Sequence, residues 1–456
     1  MTINNFLKEA SSFRDKSAAV GYINGKLVRK IYSNYMSTFE KVISSGLYKR
    51  LLSENLIIRH KIVSKNANEI IILPKKIFIS YPWEWSFTML KDAALTTLKI
   101  QKIALEYDFI LKDANCFNIQ FYNNKPLLID TTSFAEYKNN SLWEGYKQFC
   151  TNFLSPLLLM AYKDLKLQDL ILGDISGIDL NLTSKLLPLK TWFNFYILSN
   201  VHLHAIFSKK YSKSKEKISE KEITKEQMSC FIDFLISAVE NIKLTKQQTQ
   251  WSKYYTFTNY NKESFEDKKE KVLRYSSETK PKTVLDFGSN IGYFSKLFKT
   301  QTVYSLDMDR LAVEYNYLDC KKNNTNNIFP MVFDIMNPSP SLGFLNKERL
   351  SLLERLKSVD LILALALTHH LRISNNLPFE NQARFFSNYG KYLIVEYIDK
   401  TDSKIQQMLL NRKDIFDDYT NENFEKEFSA YFDILKKENI SSGKRILYLM
   451  KNQNKG

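Results

Sequence analysis

The sequence has 456 residues, and its 65 Lys and Arg against 49 Asp and Glu give a formal net charge of +16. Hydrophobic residues make up 44% of the chain and aromatic residues 14%, which excludes a disordered or fibrous protein. At roughly 100–200 residues per domain, this length predicts two or three domains. The longest apolar stretch, 152–162, is shorter than the roughly 20 residues that span a bilayer.

Cysteine usage and the N-terminus predict a cytoplasmic protein. The four cysteines (Cys116, Cys150, Cys230 and Cys320) lie far apart without a CxxC pair, as is typical of reduced thiols. The first residues contain no uninterrupted apolar segment of the kind that a secretory signal needs.

The positive charge suits a surface that binds nucleic acid or an anionic membrane. The basic residues are scattered, however, without a run of five or six and without a nucleic-acid motif. The sequence therefore argues against a nucleic-acid partner, predicts no transmembrane segment, and leaves peripheral contact with a membrane surface open.

Residues 1–200 do not follow a parallel α/β pattern. Their predicted elements are a hairpin of Ala18–Ile23 and Lys26–Tyr32 that turns at Asn24-Gly25, a helix at Ser37–Leu52, strands at Ile57–Val63 and Glu69–Ile79, and a helix at Phe87–Tyr107.

After that helix, three polar residues have the spacing of a phosphoryl-transfer site. Asp113 precedes Asn118 by five residues, and Asp130 follows Asn118 by twelve, across a predicted hairpin. Phosphoryl transfer needs one carboxylate to orient a hydroxyl, and an amide with a second carboxylate to hold Mg²⁺. The D-x-x-x-x-N spacing is that of the kinase catalytic loop, which predicts Asp113 as the catalytic residue and Asn118 and Asp130 as metal ligands.

This order of elements resembles a compact protein-kinase-like or aminoglycoside-phosphotransferase-like domain over residues 1–207. The resemblance implies ATP and Mg²⁺ as ligands. It makes Lys26, Arg29 or Lys30, all on the second strand, the candidate for the phosphate-contacting residue, and Glu40 on the following helix its ion-pair partner.

Three departures leave the activity of this domain open. Leu111 stands where most kinases have His, Thr131-Thr132 follow Asp130, and no glycine-rich loop precedes the first hairpin. The domain is therefore either an active phosphotransferase or a pseudokinase, unless the likeness is coincidental.

A charged connector with a following helix, residues 208–250, separates this region from a second domain at 251–456. Ser208–Glu226 is rich in Lys, Glu and Ser, and Met228–Lys243 returns to helical spacing. Beyond Thr283, short apolar strands alternate with helical segments, which predicts a parallel sheet. The predicted strands are Thr283–Asp286, Thr302–Asp307, Phe329–Phe333, Asp360–Leu367 and Tyr392–Tyr397.

The segment TVLDFGSNIGYFS, residues 283–295, combines a strand with a glycine turn. The strand ends at Asp286, Gly288 and Gly292 form the turn, and a helix is expected to begin near Tyr293. Asp307 lies 21 residues after Asp286, at the end of the second strand, where a carboxylate can accept the hydroxyls of a ribose.

These residues resemble the class I S-adenosylmethionine (SAM)-dependent methyltransferases, over about residues 251–451. The resemblance implies an α/β Rossmann-like fold beside the α+β kinase-like domain, and SAM as the cofactor. The GxxxG spacing favours this family over nicotinamide-binding domains, although Asn290 stands where many relatives have glycine. The cofactor-binding residues so implied are Asp286, Gly288, Ser289, Asn290, Gly292, Asp307 and Asp334.

The fourth predicted strand runs into ALALTHHL, which places His369 and His370 at the carboxyl end of the sheet, where ligands bind. A histidine there can take a proton from an oxygen or nitrogen nucleophile, and His369 is the preferred candidate. The alternative is that one histidine only caps the strand. Glu396, at the end of the fifth strand, is a further candidate at the same edge.

The whole chain also resembles a bacterial family related to rhizobial nodulation host-specificity proteins, through FRDKSAAV, LKDANCFNIQF, IDTTSF and NRKDIFDDYT. The domain order is similar to that of enzymes that phosphorylate and then methylate the end of a polysaccharide, which implies a glycan or small-molecule substrate. The leading hypothesis is a methyltransferase with a second, kinase-like activity. The alternatives are a methyltransferase whose pseudokinase domain only binds substrate, and a non-catalytic interaction protein.

Overall fold

The structure is a computed structural model that describes residues 6–138, 143–211, 223–244, 262–410, 413–441 and 443–455. The chain divides into two units. Unit 1 comprises Met1–Gln247 and Pro340–Leu350, and unit 2 comprises Gln248–Ser339 and Ser351–Gly456. Part of the predicted connector, residues 212–222 and 245–250, lies outside the described residues.

Unit 1 begins with an antiparallel five-stranded sheet of order β1-β2-β3-β5-β4. The elements of this part are β1 (Leu7–Lys8), β2 (Ala18–Ile23), β3 (Lys26–Tyr32), α1 (Ser33–Ser44), α2 (Leu47–Ser53), β4 (His60–Lys65) and β5 (Glu69–Pro74). The predicted first hairpin is confirmed, because Asn24 and Gly25 both have positive φ, 50° and 73°, as a two-residue hairpin turn requires. Helix α1 covers the sheet with Tyr35 and Phe39.

The single helix predicted at Ser37–Leu52 is wrong, since the chain forms two helices there. Gly46 separates α1 from α2 with φ of 90°, a conformation that a continuing helix cannot contain. The strand predicted at Glu69–Ile79 also ends early, at Pro74. Proline has no backbone N–H, so it cannot donate the hydrogen bond that would continue the pairing with a neighbouring strand.

The rest of unit 1 is mainly helical. Its elements are α3 (Phe87–Glu106), β6 (Phe109–Leu111), β7 (Ile119–Tyr122), β8 (Lys125–Leu128), β9 (Phe134–Glu136), α4 (Tyr146–Phe149), α5 (Ser155–Tyr162), α6 (Leu170–Gly173), α7 (Leu180–Leu186), α8 (Phe195–Ile197), α9 (His204–Tyr211) and α10 (Lys225–Glu240). The antiparallel pair β7 and β8 is the hairpin predicted between Asn118 and Asp130.

Two features of unit 1 were not expected from the sequence. Helix α10, which follows the predicted connector, packs lengthwise against α3. The segment Pro340–Leu350 also joins unit 1, where Glu348 forms a bidentate ion pair with Arg14 at 2.8 and 3.0 Å. The Arg349 guanidinium lies 4.4 Å from the centre of the Phe117 ring.

Unit 2 contains a seven-stranded sheet of order β12-β11-β10-β13-β14-β16-β15. Its strands are β10 (Thr283–Phe287), β11 (Thr302–Asp307), β12 (Ile328–Val332), β13 (Val359–Ala364), β14 (Gly390–Ile398), β15 (Phe432–Asn439) and β16 (Arg445–Asn452). The strands β10 to β14 pair in parallel, and β16 pairs antiparallel with both β14 and β15.

The central strands of this sheet are buried on both faces. Successive residues Leu361, Ile362 and Leu363 have no exposed surface, as expected of parallel strands covered on each side by helices. The helices are α11 (Lys262–Thr279), α12 (Arg310–Lys322), α13 (Leu352–Leu356), α14 (Phe379–Tyr389), α15 (Ser403–Leu409) and α16 (Asn421–Ser429).

The helix predicted near Tyr293 is wrong. After the glycine turn the chain forms consecutive turns and one short 3₁₀ helix, Ser295–Leu297. Only nine residues separate Gly292 from β11, so a full helix and its return to the sheet do not fit. Tyr293 and Phe294 instead pack against Phe265 of α11.

No helix in the described part of the chain combines the length and hydropathy needed to cross a bilayer.

Candidate functional site

A cavity of about 360 Å³ opens at the carboxyl ends of β10, β11, β12 and β13 in unit 2. This volume lies within the range of small-molecule sites, and the position is where open α/β sheets bind their ligands. Six of the seven predicted cofactor-binding residues line it: Asp286, Gly288, Ser289, Asn290, Asp307 and Asp334. Gly292, the seventh, does not line it, and its close packing leaves no room for a Cβ beside Asn316.

The glycine turn brings backbone to the cavity wall. Gly288 has φ of 69° and Asn290 has φ of 50°, so both adopt the left-handed conformation that glycine and asparagine tolerate best. The hydroxyl of Ser289 is buried and has no hydrogen-bond partner in the described structure. An unpaired buried hydroxyl is unfavourable, and a bound ligand would satisfy it.

Asp307, at the end of β11, is fixed by the backbone. Its Oδ2 accepts a hydrogen bond from the Asn290 amide at 2.7 Å, and its Oδ1 accepts one from the Asp309 amide at 2.8 Å. Burial outweighs these bonds and raises the pKa of Asp307 to about 6.

Asp286, at the end of β10, is the second buried carboxylate of the cavity. Its Oδ2 accepts a hydrogen bond from the Ser295 hydroxyl at 2.6 Å. Burial, together with the charge of Asp307, raises the pKa of Asp286 to about 7. Two carboxylates that resist ionisation in one cavity favour a ligand that brings positive charge and hydroxyl donors.

The end of β13 forms the opposite wall of the cavity. Ala366 has φ of 50°, an unfavourable conformation for alanine, and its amide donates to Glu396 Oε2 at 2.8 Å. His370 lines the cavity, whereas His369, the preferred candidate from the sequence, does not. Burial lowers the pKa of His370 to about 4, so its imidazole is neutral at pH 7.

A buried ion-pair network lies beside this wall. Lys268 of α11 lines the cavity, and its Nζ lies 2.5 Å from Glu396 Oε2. Arg445 lies 3.3 Å from the other Glu396 oxygen and 3.1 Å from Asp402. Burial lowers the pKa of Lys268 despite the nearby carboxylate. Sequence reasoning missed Lys268, because the surrounding FEDKKEK resembles an exposed helix face.

In unit 1, the chain brings Asp113 and Asn118 together. The Asn118 amide donates to Asp113 Oδ2 at 3.1 Å, and the Asn115 backbone donates to Oδ1 at 3.0 Å. Burial, and the charge of nearby Asp130, raise the pKa of Asp113. The three residues predicted from their spacing therefore form one electrostatic cluster.

Asp130 is held by Arg29 and Thr132. The Arg29 guanidinium forms an ion pair with the carboxylate, and the Thr132 amide and hydroxyl donate to it at 2.9 and 2.7 Å. Burial acts to raise the pKa of Asp130, but these partners lower it to about 2. Arg29 therefore contacts Asp130, which the sequence predicted as a metal ligand.

The other two predicted ATP-binding residues of this domain lie elsewhere. Lys30 pairs with Glu69 at 2.7 Å, because neighbouring strand residues point to opposite faces of a sheet. Glu40 pairs with Lys65 at 2.5 Å on a half-exposed surface. The predicted ion pair between Glu40 and a phosphate-contacting residue is therefore not formed in this structure.

Within the described ranges, no three His, Cys, Asp or Glu side chains are placed to hold a metal ion by themselves. The predicted Mg²⁺ ligands, Asn118 and Asp130, supply one amide and one carboxylate. Oxygens of a nucleotide would have to complete such a site, as they do in phosphotransferases.

The histidines of the HxH pair in unit 1 lie on helical elements. His202 belongs to a π-helical turn, Leu198–Leu203, and His204 begins α9. His202 is buried between the hydroxyls of Ser184 and Thr191, at 2.7 and 2.9 Å, which is a structural role.

Comparison with known proteins shows similarity in structure and, separately, in sequence. The crystal structure of WbdD, a bifunctional kinase-methyltransferase, aligns with a TM-score of 0.32 and 14% identity. The alignment spans 45% of this chain and 44% of the WbdD chain, less than half of either. A SAM-dependent methyltransferase from Aquifex aeolicus aligns with a TM-score of 0.31 and 16% identity, over 44% of this chain and 98% of that one.

No protein-family model matches the sequence. A full-length relative does match, which agrees with the whole-chain resemblance in the sequence. The chain is 30% identical over 455 residues to the nodulation protein NoeA of Rhizobium meliloti (strain 1021), covering 96% of this chain and 95% of that protein. The chain therefore belongs to the family of the nodulation protein NoeA.

Proposed function

We propose that unit 2 binds SAM and transfers its methyl group to an oxygen or nitrogen acceptor. The observation that carries this proposal is the cavity at the carboxyl ends of β10 to β13, with Asp307 at the end of the second strand. In nucleotide-binding α/β folds, an acid at this position accepts the ribose hydroxyls.

The sheet and its turn support SAM over a dinucleotide. The order of the first five strands is that of a doubly wound fold. The antiparallel β16, inserted between β14 and β15, departs from the strand order of dinucleotide-binding folds, in which the sixth strand follows the fifth directly. The turn between β10 and β11 has GxxxG spacing rather than the dinucleotide fingerprint GxGxxG.

The residues of the cavity fit the parts of this cofactor. Asp307 would accept the ribose hydroxyls, and Asp334 with Met336 lines the side expected for the adenine. Gly288 and the unpaired Ser289 hydroxyl would meet the methionine part. Asp286 adds negative charge that suits the positive charges of SAM.

SAM, when bound, supplies an electrophilic methyl group on its sulfonium. His370 faces the same cavity, where its neutral imidazole would accept a hydrogen bond from an acceptor hydroxyl or amine. Its lowered pKa makes it a weak base, so it would take the proton only as the methyl group is transferred. Leu365 and Leu371 line this wall beside His370 and would exclude water from the transfer.

Titration of SAM into the full-length protein, with NAD⁺ as the comparison ligand, tests this proposal. We expect saturable binding of SAM and none of NAD⁺. Asp307→Ala should weaken SAM binding by about thirtyfold or more, because a charged acceptor contributes roughly 1.5–3 kcal/mol per hydrogen bond. Asp319→Ala, which removes a carboxylate outside the cavity that pairs with Lys296, should bind as wild type. Equal binding by both variants would contradict the proposed site.

Unit 1 would be a second, kinase-like site, which makes the protein bifunctional. The observation that favours this function is the cluster of Asp113, Asn118 and Asp130, with Arg29 reaching it from β3. Arg29 would contact nucleotide phosphates, Asp113 would orient an acceptor hydroxyl, and Asn118 and Asp130 would hold Mg²⁺. The substrate class that suits both activities is a hydroxylated glycan or small molecule in the cytoplasm.

Titration of Mg²⁺-ATP decides between this function and a pseudokinase that only binds substrate. We expect saturable binding that Asp130→Asn weakens by about tenfold or more, because it removes the charge of a metal ligand. Lys30→Gln is the matched control, since Lys30 neighbours Arg29 but pairs with Glu69. Absence of ATP binding would make unit 1 a non-catalytic module and leave a single methyltransferase activity.

A further inference from the structure

A strongly exposed apolar surface lies in the helical part of unit 1. Phe193 is 92% exposed and Leu189 is 81% exposed, on the 3₁₀ helix Leu189–Phe193. Phe195 and Trp192 extend the same stretch, at 69% and 38%. We call these four residues the aromatic shelf. Single exposed apolar residues are common on protein surfaces, but a contiguous group of large ones is typical of an interaction site.

The aromatic shelf is held rigidly from below. The Trp192 ring stacks on the buried His202 ring at 4.2 Å between centres. His202 is hydrogen-bonded to Ser184 of α7 and to Thr191 beside the shelf. The Phe195 ring packs edge-on against Phe234 of α10. The exposure is therefore a property of an ordered surface.

Neighbouring elements extend the apolar character. Leu182 of α7 is 42% exposed, and Ile206 and Phe207 of α9 are each 49% exposed. Helix α7 packs against both α9 and the π-helical turn that follows α8, so these residues belong to the same local group of helices.

The charges on the shelf segment itself are positive. From Leu180 to Phe207 the sequence contains no Asp or Glu and two lysines, Lys185 and Lys190. Acids on neighbouring elements include Asp179, which caps the first turn of α7, and Asp233 beside Phe234, which is paired with Lys102 at 2.5 Å. A partner that accepts apolar side chains and supplies negative charge therefore suits this surface.

We propose that the aromatic shelf and its lysines dock on the surface of an anionic lipid bilayer. Side chains as exposed as Phe193 and Leu189 project from the surface, as insertion into the interface between headgroups and acyl chains requires. Trp and Phe are favoured at that depth, and lysines near a bilayer gain attraction from anionic headgroups. An acidic protein is the competing partner.

Sedimentation of the full-length protein with phospholipid vesicles tests the proposal. We expect binding to vesicles of phosphatidylcholine mixed with phosphatidylglycerol, weaker binding to phosphatidylcholine alone, and weakening by salt. Leu189→Ser combined with Phe193→Ser should lower the partition coefficient by about tenfold or more, because two exposed apolar side chains no longer insert. Lys185→Gln with Lys190→Gln should remove much of the salt dependence.

The matched control changes two other exposed apolar residues of unit 1. Ile62 and Val63 of β4 are 52% and 54% exposed, and their replacement with Ser should leave vesicle binding unchanged. Quenching by brominated lipid, compared between wild type and Trp192→Phe, should place Trp192 at the interface. Absence of vesicle binding, equal loss in the control, or a wild-type dimer that the shelf variant dissociates would overturn the proposal.

Discussion

Replacing Lys268 with Met is expected to lower the free energy of unfolding of unit 2 by about 3 kcal/mol. The Lys268 and Glu396 side chains are almost fully buried, 3% and 0% exposed, and lie 2.5 Å apart. Removal of the ammonium takes a cation from a fully buried carboxylate that also pairs with Arg445, at 3.3 Å. The free-energy cost of leaving a buried charge without one of its partners is much larger than the stabilisation that the ion pair itself provided.

Lys269→Met is the matched control for this prediction. Lys269 is the next residue on the same helix, but its ammonium pairs with Glu266 at the surface, where an ion pair is worth roughly 0–1 kcal/mol. Urea unfolding, monitored by hydrogen exchange of the backbone amides in the unit 2 sheet, would give the free energy of unfolding of both variants. The double variant Lys268→Met with Glu396→Gln should recover part of the loss. Equal effects of the two lysine substitutions would show that the buried pair does not stabilise the sheet.

The affinity for SAM is expected to rise by about a hundredfold or more between pH 5 and pH 8. Burial raises the pKa of Asp286 to about 7 and that of Asp307 to about 6. Below these values the carboxylates are protonated in the free protein. A cationic ligand favours their ionised forms, so binding releases protons at low pH and becomes independent of these groups above about pH 8.

The same carboxylates should make the free protein less stable as the pH rises, although they make the binding of SAM tighter. The folded-state pKa of Asp286 lies above its ordinary value of 3.8, so its contribution to stability is fully present below pH 3.8 and is lost as the pH rises through about 7. Asp286→Asn should therefore be more stable than wild type at pH 8. Buried acids that destabilise the free protein are typical of binding sites.

Calorimetric titration at several pH values would check this prediction. Asp286→Asn should bind with little pH dependence above about pH 7, because only Asp307, with a pKa of about 6, then titrates. S-adenosylhomocysteine, which lacks the sulfonium charge, should show a smaller pH dependence than SAM. The same pH dependence in wild type and Asp286→Asn would rule out Asp286 as the responsible group.

Local sequence determined the hairpins, the parallel strands and the position of Asp307. Asn24-Gly25 and Asn123-Asn124 set their turns through positive φ at adjacent residues, a preference that each residue carries by itself. The strand Thr302–Asp307 was predicted with its observed bounds, because a short apolar run ended by an acid needs no distant contact to be recognised. Six of the seven cofactor-binding residues predicted from the sequence line the cavity.

Tertiary structure alone decided which side chains meet. Arg29 reaches Asp130 while Lys30 points away, and His370 rather than His369 lines the cavity. Lys268 lies 128 residues from Glu396 along the chain, so no local pattern distinguishes it from its exposed neighbour Lys269. Secondary structure follows from short-range preferences, whereas burial and pairing of charges depend on elements that are distant in sequence and are joined only by folding.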